Sequence, residues 1–599
     1  MSAPSIAPPQ VRWDLSALFS GLDDPRLETV WTELGARADG FAAQYRGRVS
    51  AMTASELADA LAAYADLSAD ANKPINYASL VYSCQSNDAA VGAFLAEQME
   101  HASELSVKLL FFELELQDLP EAKAESLSND PALASYRHYL GVVRQFSPHK
   151  LSEPQEVILE ETANTGCRAW VRFYEEMLAS HVFRILKPGE TEVTEQSEPE
   201  TIALLRDENR AMRQAAADSL TQGMEELERS ICFAYNTLLQ DKRVGDRLRN
   251  HPYAEHSRHL ANELKKETVD LVVEMCHANY GLVERFYHKK RPLLGLEELT
   301  HIDRYAPLFE SKEKKSWEEG RSMVVNAFTS FHPELGARAD EFFSSNWIDA
   351  EPRNGKQGGA FCSYNTPDTH PVVFMNYLCK LDDVMTLAHE LGHGAHASFS
   401  RTQNYFNFHG TLPLAELAST FGEMLVFERI VADATERDKT ALYAEKIESI
   451  FATVFRQAAL FSFEVRAHNA RRDEGEVSAE RFGDIWQEEL QRMFGTSIKL
   501  GEQHRRWWMM IGHFFFAPFY VYAYSFGELL ALSLYQAAKK GGAEFAARYI
   551  DLLKKGGSET PEELMAFVGV DINSREFWQG GFDAIESFVT EFERLSGAL

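Results

Sequence analysis

The stretch DDVMTLAHELGHGAHASF, residues 382–399, sets three histidines and a glutamate beside an apolar stripe of Val384, Leu387, Ala388 and Leu391. The stripe recurs at helical spacing, and Asp382 and Asp383 suit a helix N-terminus, so an amphipathic helix is predicted here. Residues four apart on a helix share a face, so His389 and His393 can aim a ring nitrogen at one ion. Glu390, turned by about 100°, can reach a water on that ion without binding the ion itself. Two neutral ligands with a base beside an open coordination position are what zinc-assisted hydrolysis requires. Gly392 and Gly394 cost helix propensity, which predicts that another element approaches this helix closely.

A third ligand is needed. His396 is on the correct face but about 7 Å further along the axis, too far for bonds of about 2 Å, and is expected to be an outer or substrate-facing group. Glu416 and Glu423 lie in GTLPLAELASTFGEMLVFERIV, residues 410–431, which predicts a new helix starting near Pro413. Seven residues apart, they fall on one face, so one can bind the metal while the other hydrogen-bonds a ligand histidine. Spacing leaves the choice open.

Helix signals run through most of the rest, as in residues 55–71, 204–239 and 263–287. Ser152 with Gln155 and Thr560 with Glu563 read as capping boxes, and KKGG at 539–542 and 554–557 as helix stops. Two stretches break the pattern. The polar residues 187–201 suggest a domain junction or a hairpin, giving an N-terminal helical domain over 1–190 and a second domain over 200–590. Residues 354–377 place the β-rich PVVFM just before the motif helix, either a strand whose exposed edge could hold an extended peptide or an internal sheet strand with no ligand.

The chain has 599 residues, 45% hydrophobic and 25% charged, which allows a large core. A formal charge of −30 argues against nucleic acid and anionic membranes as partners, and leaves cationic or neutral substrates open. The six scattered cysteines suggest neither disulfides nor a thiolate site, and the start, MSAPSIAPPQ, carries no secretion signal; a cytoplasmic protein is expected. Residues 507–535 are nearly uncharged, but His513, Pro518, Glu528 and dispersed tyrosines argue for a buried helix rather than a membrane span.

HELGHGAHA, AELASTFGE and IGHFFFAPFYVYAY, with GKQGGAF at 355–361 and Asn376-Tyr377, resemble the thimet oligopeptidase-like zinc metallopeptidases, closest to their oligoendopeptidase F branch. The resemblance covers residues from about 200 to 590. It implies a mainly α, two-lobed zincin-type fold with a small β-sheet beside the motif helix and a deep central channel. It also implies one zinc ion held by His389, His393 and Glu416, with Glu390 as catalytic base and Glu423 as an outer carboxylate. His513 matches a substrate-binding histidine, and Tyr520 and Tyr524 match tyrosines that stabilise the tetrahedral intermediate. Where the family often has Pro-Ser-Gln, this chain has Ala418-Ser419-Thr420. The aromatic run after His513 is one residue longer than usual, which keeps Tyr522 as an alternative, although Tyr520 and Tyr524 would share a helix face. The implied activity is endopeptidase cleavage of short unfolded peptides; the alternative is a non-catalytic peptide-binding protein of the same fold. Oligomeric state is not legible.

Overall fold

The apolar spacing of residues 55–71 appears as helix Ala54–Cys84, opened by a reciprocal capping box between Thr53 and Glu56. Its Leu57 and Leu61 share a core with Leu109 and Phe112 of helix Ala89–Gln117. The protein, described here by a computed structural model over residues 7–308 and 314–597, is mainly α. It divides into two compact units: Met1–Ser147 with Lys312–Asp433 and Leu534–Ile572, and Pro148–Ser311 with Ala434–Ser533 and Asn573–Leu599.

In the first unit, the motif helix is Leu381–Ser400, and the Asp383 carboxylate accepts from the backbone N–H groups of Leu378 and Lys380 at its start, both at 2.7 Å. A three-stranded sheet precedes it. Val372–Phe374 is the central strand, parallel to Ile348–Asp349 and antiparallel to Phe361–Ser363. The internal-strand alternative for PVVFM holds and the exposed-edge one fails, because both sides of Val372–Phe374 are already paired and Val372, Val373 and Phe374 are fully buried. The edge strand beside the motif region is Phe361–Ser363, paired on one side only among the described residues.

In the second unit, residues 183–196 form a hairpin, Phe183–Ile185 against Thr194–Gln196, so the hairpin alternative holds for the polar stretch. The run 204–239 falls within the short helix Leu204–Arg206 and the long helix Arg210–Leu248. Residues 263–287 are not one helix but Lys266–Ala278 and Gly281–Leu293, divided where Asn279 leaves helical geometry at φ −103° and ψ 9°. The aromatic segment differs too. It runs as a 3₁₀ stretch Glu502–Met510, a short helix His513–Phe516, and a helix Tyr522–Lys555 kinked at Gly542, whose residues from Leu534 on belong to the first unit. Pro518 keeps Ala517 out of helical geometry, at φ −141° and ψ 67°, and so ends the short helix. Both capping boxes form, and the two KKGG sequences coincide with the Gly542 kink and the helix end at Lys555. Among the described residues no helix is long and apolar enough to cross a membrane.

Candidate metal centre

The segment after the motif helix starts with the short helix Leu412–Ala415, carrying Pro413 in its first turn as proline's fixed φ favours. Glu416 closes it at φ −80° and ψ 0°, and Leu417–Asp433 follows as a separate helix. Glu416 therefore sits at a joint, whereas Glu423 lies inside the second helix. The helix Leu417–Asp433 reaches the motif helix because the backbone of Ala418 and Ser419 occupies the space that a side chain on Gly392 would need. Gly394 accommodates the Phe342 ring in the same way. These are the close approaches that the two glycines predict.

The approach brings Glu416 Oε2 to 3.3 Å from His389 Nε2 and 3.6 Å from His393 Nε2. Ligands bonded at about 2.0–2.1 Å to one ion at tetrahedral angles lie about 3.3 Å apart, so the donor set fits a single zinc-sized ion. One donor atom from each of the three residues falls within a span of 4.8 Å. Each candidate ligand has outer support of the kind that orients metal-binding side chains. His389 Nδ1 lies 3.4 Å from Glu423 Oε2, and His393 hydrogen-bonds the Ala415 backbone. The Ser419 hydroxyl donates to Glu416 Oε2 at 2.8 Å, so the serine retained from the altered triplet supports the carboxylate.

The electrostatics favour a cation at this point. Burial acts to lower His389, but Glu416 and Glu423 outweigh it and hold the imidazole well above its ordinary range. Burial likewise acts to raise Glu416, yet His389, His393 and Ser419 keep it at about 2. The field between these groups stabilises positive charge, which a divalent ion supplies as well as a proton does. His393 is lowered to about 4 by burial, leaving a lone pair for a metal. Burial also raises Glu390 to about 7, which suits a proton acceptor working near neutrality. His389 keeps 29% and Glu416 24% of their side chains exposed, so the set opens to solvent on one side.

His396 is not part of this group. It is buried, its Nδ1 has no hydrogen-bond partner among the described residues, and its ring stands edge-on to Tyr364 at 6.2 Å. Tyr364 itself, which sequence reasoning missed, is subject to the charges of Glu416 and Glu390 and stacks on His409 at 4.9 Å. It follows the edge strand in an irregular segment, where no periodicity marks it.

In the second unit, His513, Tyr520 and Tyr524 form their own cluster. The Tyr524 hydroxyl lies 3.3 Å from His513 Nε2, and the Tyr520 and Tyr524 rings are 5.1 Å apart. Tyr520 precedes the helix instead of sharing its face, because Phe519 adopts a left-handed φ of 59°. Tyr522 points elsewhere: it is buried, and its hydroxyl accepts from Asn262 Nδ2 at 2.8 Å.

A mainly helical fold with His-Glu-x-x-His on one helix and a carboxylate delivered by the next is the organisation of a metallopeptidase. Residues 203–584 match the family model for peptidase family M3, and residues 115–183 match that for oligopeptidase F. Group B oligopeptidase PepB of Streptococcus agalactiae is 26% identical, over 98% of this chain and 97% of its own. Oligopeptidase PepF of Bacillus subtilis is 25% identical over 77% of this chain and 69% of its own. The crystal structure of oligoendopeptidase-F from Enterococcus faecium superposes with a TM-score of 0.73 at 21% identity, covering 96% of this chain and 99% of that one. The chain belongs to peptidase family M3, in its oligoendopeptidase F branch.

Proposed function

We propose that this peptidase is a zinc-dependent oligoendopeptidase that cleaves internal bonds of short unfolded peptides, with His389, His393 and Glu416 as ligands and Glu390 as general base. The observation that carries the reading is the convergence of the Glu416 carboxylate on both motif imidazoles at 3.3 and 3.6 Å. When bound there, zinc supplies Lewis acidity to a carbonyl oxygen and lowers the pKa of a water toward about 7.

The chain's own residues supply the rest. Glu390, one residue from a ligand and buried, takes the proton of the attacking water and passes it to the leaving amine. Glu423 holds the His389 ring and Ser419 the Glu416 carboxylate, so neither ligand must reorganise during the reaction. The one-sided edge strand Phe361–Ser363 receives the peptide main chain in extended form. His513 is assigned to substrate binding, and Tyr524 and Tyr520 to stabilising the developing oxyanion, as the resemblance implies. All six cysteines are unpaired, which supports a reducing cytoplasm as the place of action.

The test is Glu390→Gln, assayed on a quenched peptide alongside metal analysis. Turnover should fall by about 10² to 10⁴ while zinc content stays at the parent value. Cleavage at the parent rate would remove Glu390 from the mechanism.

A further inference from the structure

A second set of nitrogen donors lies in the other unit. His149, His251 and His256 each offer one ring nitrogen, and the three atoms lie within 4.8 Å of one another. Nothing in the peptidase reading uses them.

The local fold fixes each ring. Helix Arg210–Leu248 ends in a Schellman motif: the His251 N–H donates to the Asp246 carbonyl at 2.8 Å and the Asn250 N–H to the Arg247 carbonyl at 3.3 Å. Asn250 takes the left-handed φ of 62° that this turn needs, so the position of His251 is set by the helix end. His256 opens the next helix, His256–Ala261. His149 arrives from a segment 100 residues earlier, and its Nδ1 donates to the Arg249 carbonyl at 2.8 Å.

That last bond decides a tautomer. A carbonyl oxygen only accepts, so in the neutral ring the His149 proton is on Nδ1 and the lone pair is on Nε2, the arrangement that orients metal-binding histidines. The Nδ1 atoms of His251 and His256 are 2.9 Å apart, a distance at which two N–H groups cannot face each other, so at least one carries a lone pair. The rings of His149 and His251 stack at 4.3 Å, with His256 at 4.9 Å from His149. Two cations lie near the rings and each is ion-paired, Arg249 with Glu156 at 2.6 and 2.7 Å and Lys242 with Asp246, a carboxylate that Arg472 also contacts.

We propose that His149, His251 and His256 form a second metal site, which binds one divalent transition ion of the zinc, nickel or copper kind and leaves a further position to solvent. Three imidazoles without a carboxylate or thiolate suit these ions and not magnesium or calcium, which require oxygen ligands. A modest rotation of the rings brings the nitrogens to the spacing of about 3.3 Å that tetrahedral coordination sets. The bound ion ties the segment at His149 to the end of helix Arg210–Leu248, and so stabilises the folded unit by mass action.

Metal content of the full chain, counted after incubation with zinc chloride and desalting, tests this. The parent should carry two zinc ions, His251→Ala/His256→Ala one, and His389→Ala/His393→Ala one. Equal counts in the parent and His251→Ala/His256→Ala overturn the proposal, whatever happens at the other pair. A folding control uses the milder His256→Gln in the His389→Ala/His393→Ala background. Nickel chloride should raise the Tm of the background protein and fail to raise that of the His256→Gln form. An equal rise in both, or none in either, means that the three rings form an ion-free cluster.

Discussion

A Cβ on Gly392 would lie 2.4 Å from the backbone carbonyl oxygen of Ala418. The two helices that carry the candidate ligands therefore meet backbone to backbone at the one residue of the motif that has no side chain. In an open helix, Gly→Ala gains up to about 1 kcal/mol. Here it forces Leu417–Asp433 outward, and Gly392→Ala is expected to destabilise the protein by about 1–3 kcal/mol and to weaken zinc retention, because Glu416 moves with that helix. Urea unfolding and metal analysis check both effects, and a variant as stable as the parent would show that the contact is loose.

Glu416 and Glu423 differ in kind. Glu416→Ala should release zinc on dialysis, since it removes a donor placed 3.3 Å from His389 Nε2. Glu423→Ala removes only the support of the far ring nitrogen, and should weaken zinc by about 10- to 100-fold. Competition with a chelator ranks the two, and the reverse order would exchange their roles.

The tyrosines separate in the same way. Tyr524→Phe should lower kcat by about 10² with little change in KM, because a donor to developing charge acts on the transition state. Tyr522→Phe removes the hydrogen bond from Asn262 and should cost about 1 kcal/mol of stability with kcat unchanged. Steady-state kinetics on both variants decide the register; lost turnover in Tyr522→Phe would move the role to that residue.

Glu464 gives a pH dependence. Its side chain is fully buried and accepts the Phe519 N–H at 2.8 Å, holding the left-handed residue that precedes Tyr520. Burial raises its carboxyl from 4.5 to about 8, against the pull of that N–H and of Arg258. The folded chain thus keeps a proton that the unfolded chain loses. The stabilisation is complete below 4.5 and is lost as pH rises through about 8. One group gives a slope of at most about 1.4 kcal/mol per pH unit. Glu464→Gln should flatten stability over this range in urea unfolding; an unchanged slope would show that Glu464 is ionised in the native state.

Much of the centre was legible because a helix converts spacing into direction: His389, His393 and Glu390 needed only the four-residue repeat, and the glycines announced the close contact. The choice between Glu416 and Glu423 was not legible from spacing, since Glu416 sits at a joint whose geometry depends on where Leu417–Asp433 packs. Strand pairing is equally non-local, so Val372–Phe374 could be recognised as a strand but not as a central one. Tyr520 was misplaced on the helix because Pro518 and the left-handed Phe519 delay the helix start to Tyr522. The histidine trio escaped notice because His149 is 102 residues from His251, the nearer of its two companions.

The free edge of Phe361–Ser363 is three residues long. On the proposed function, a substrate laid along it would be sensed through its main-chain amides and carbonyls rather than through the identity of its side chains. Proline has no amide hydrogen to give. On the proposed function, discrimination against imino acids, together with tolerance toward other residues, would follow from a backbone contact without any tailored pocket.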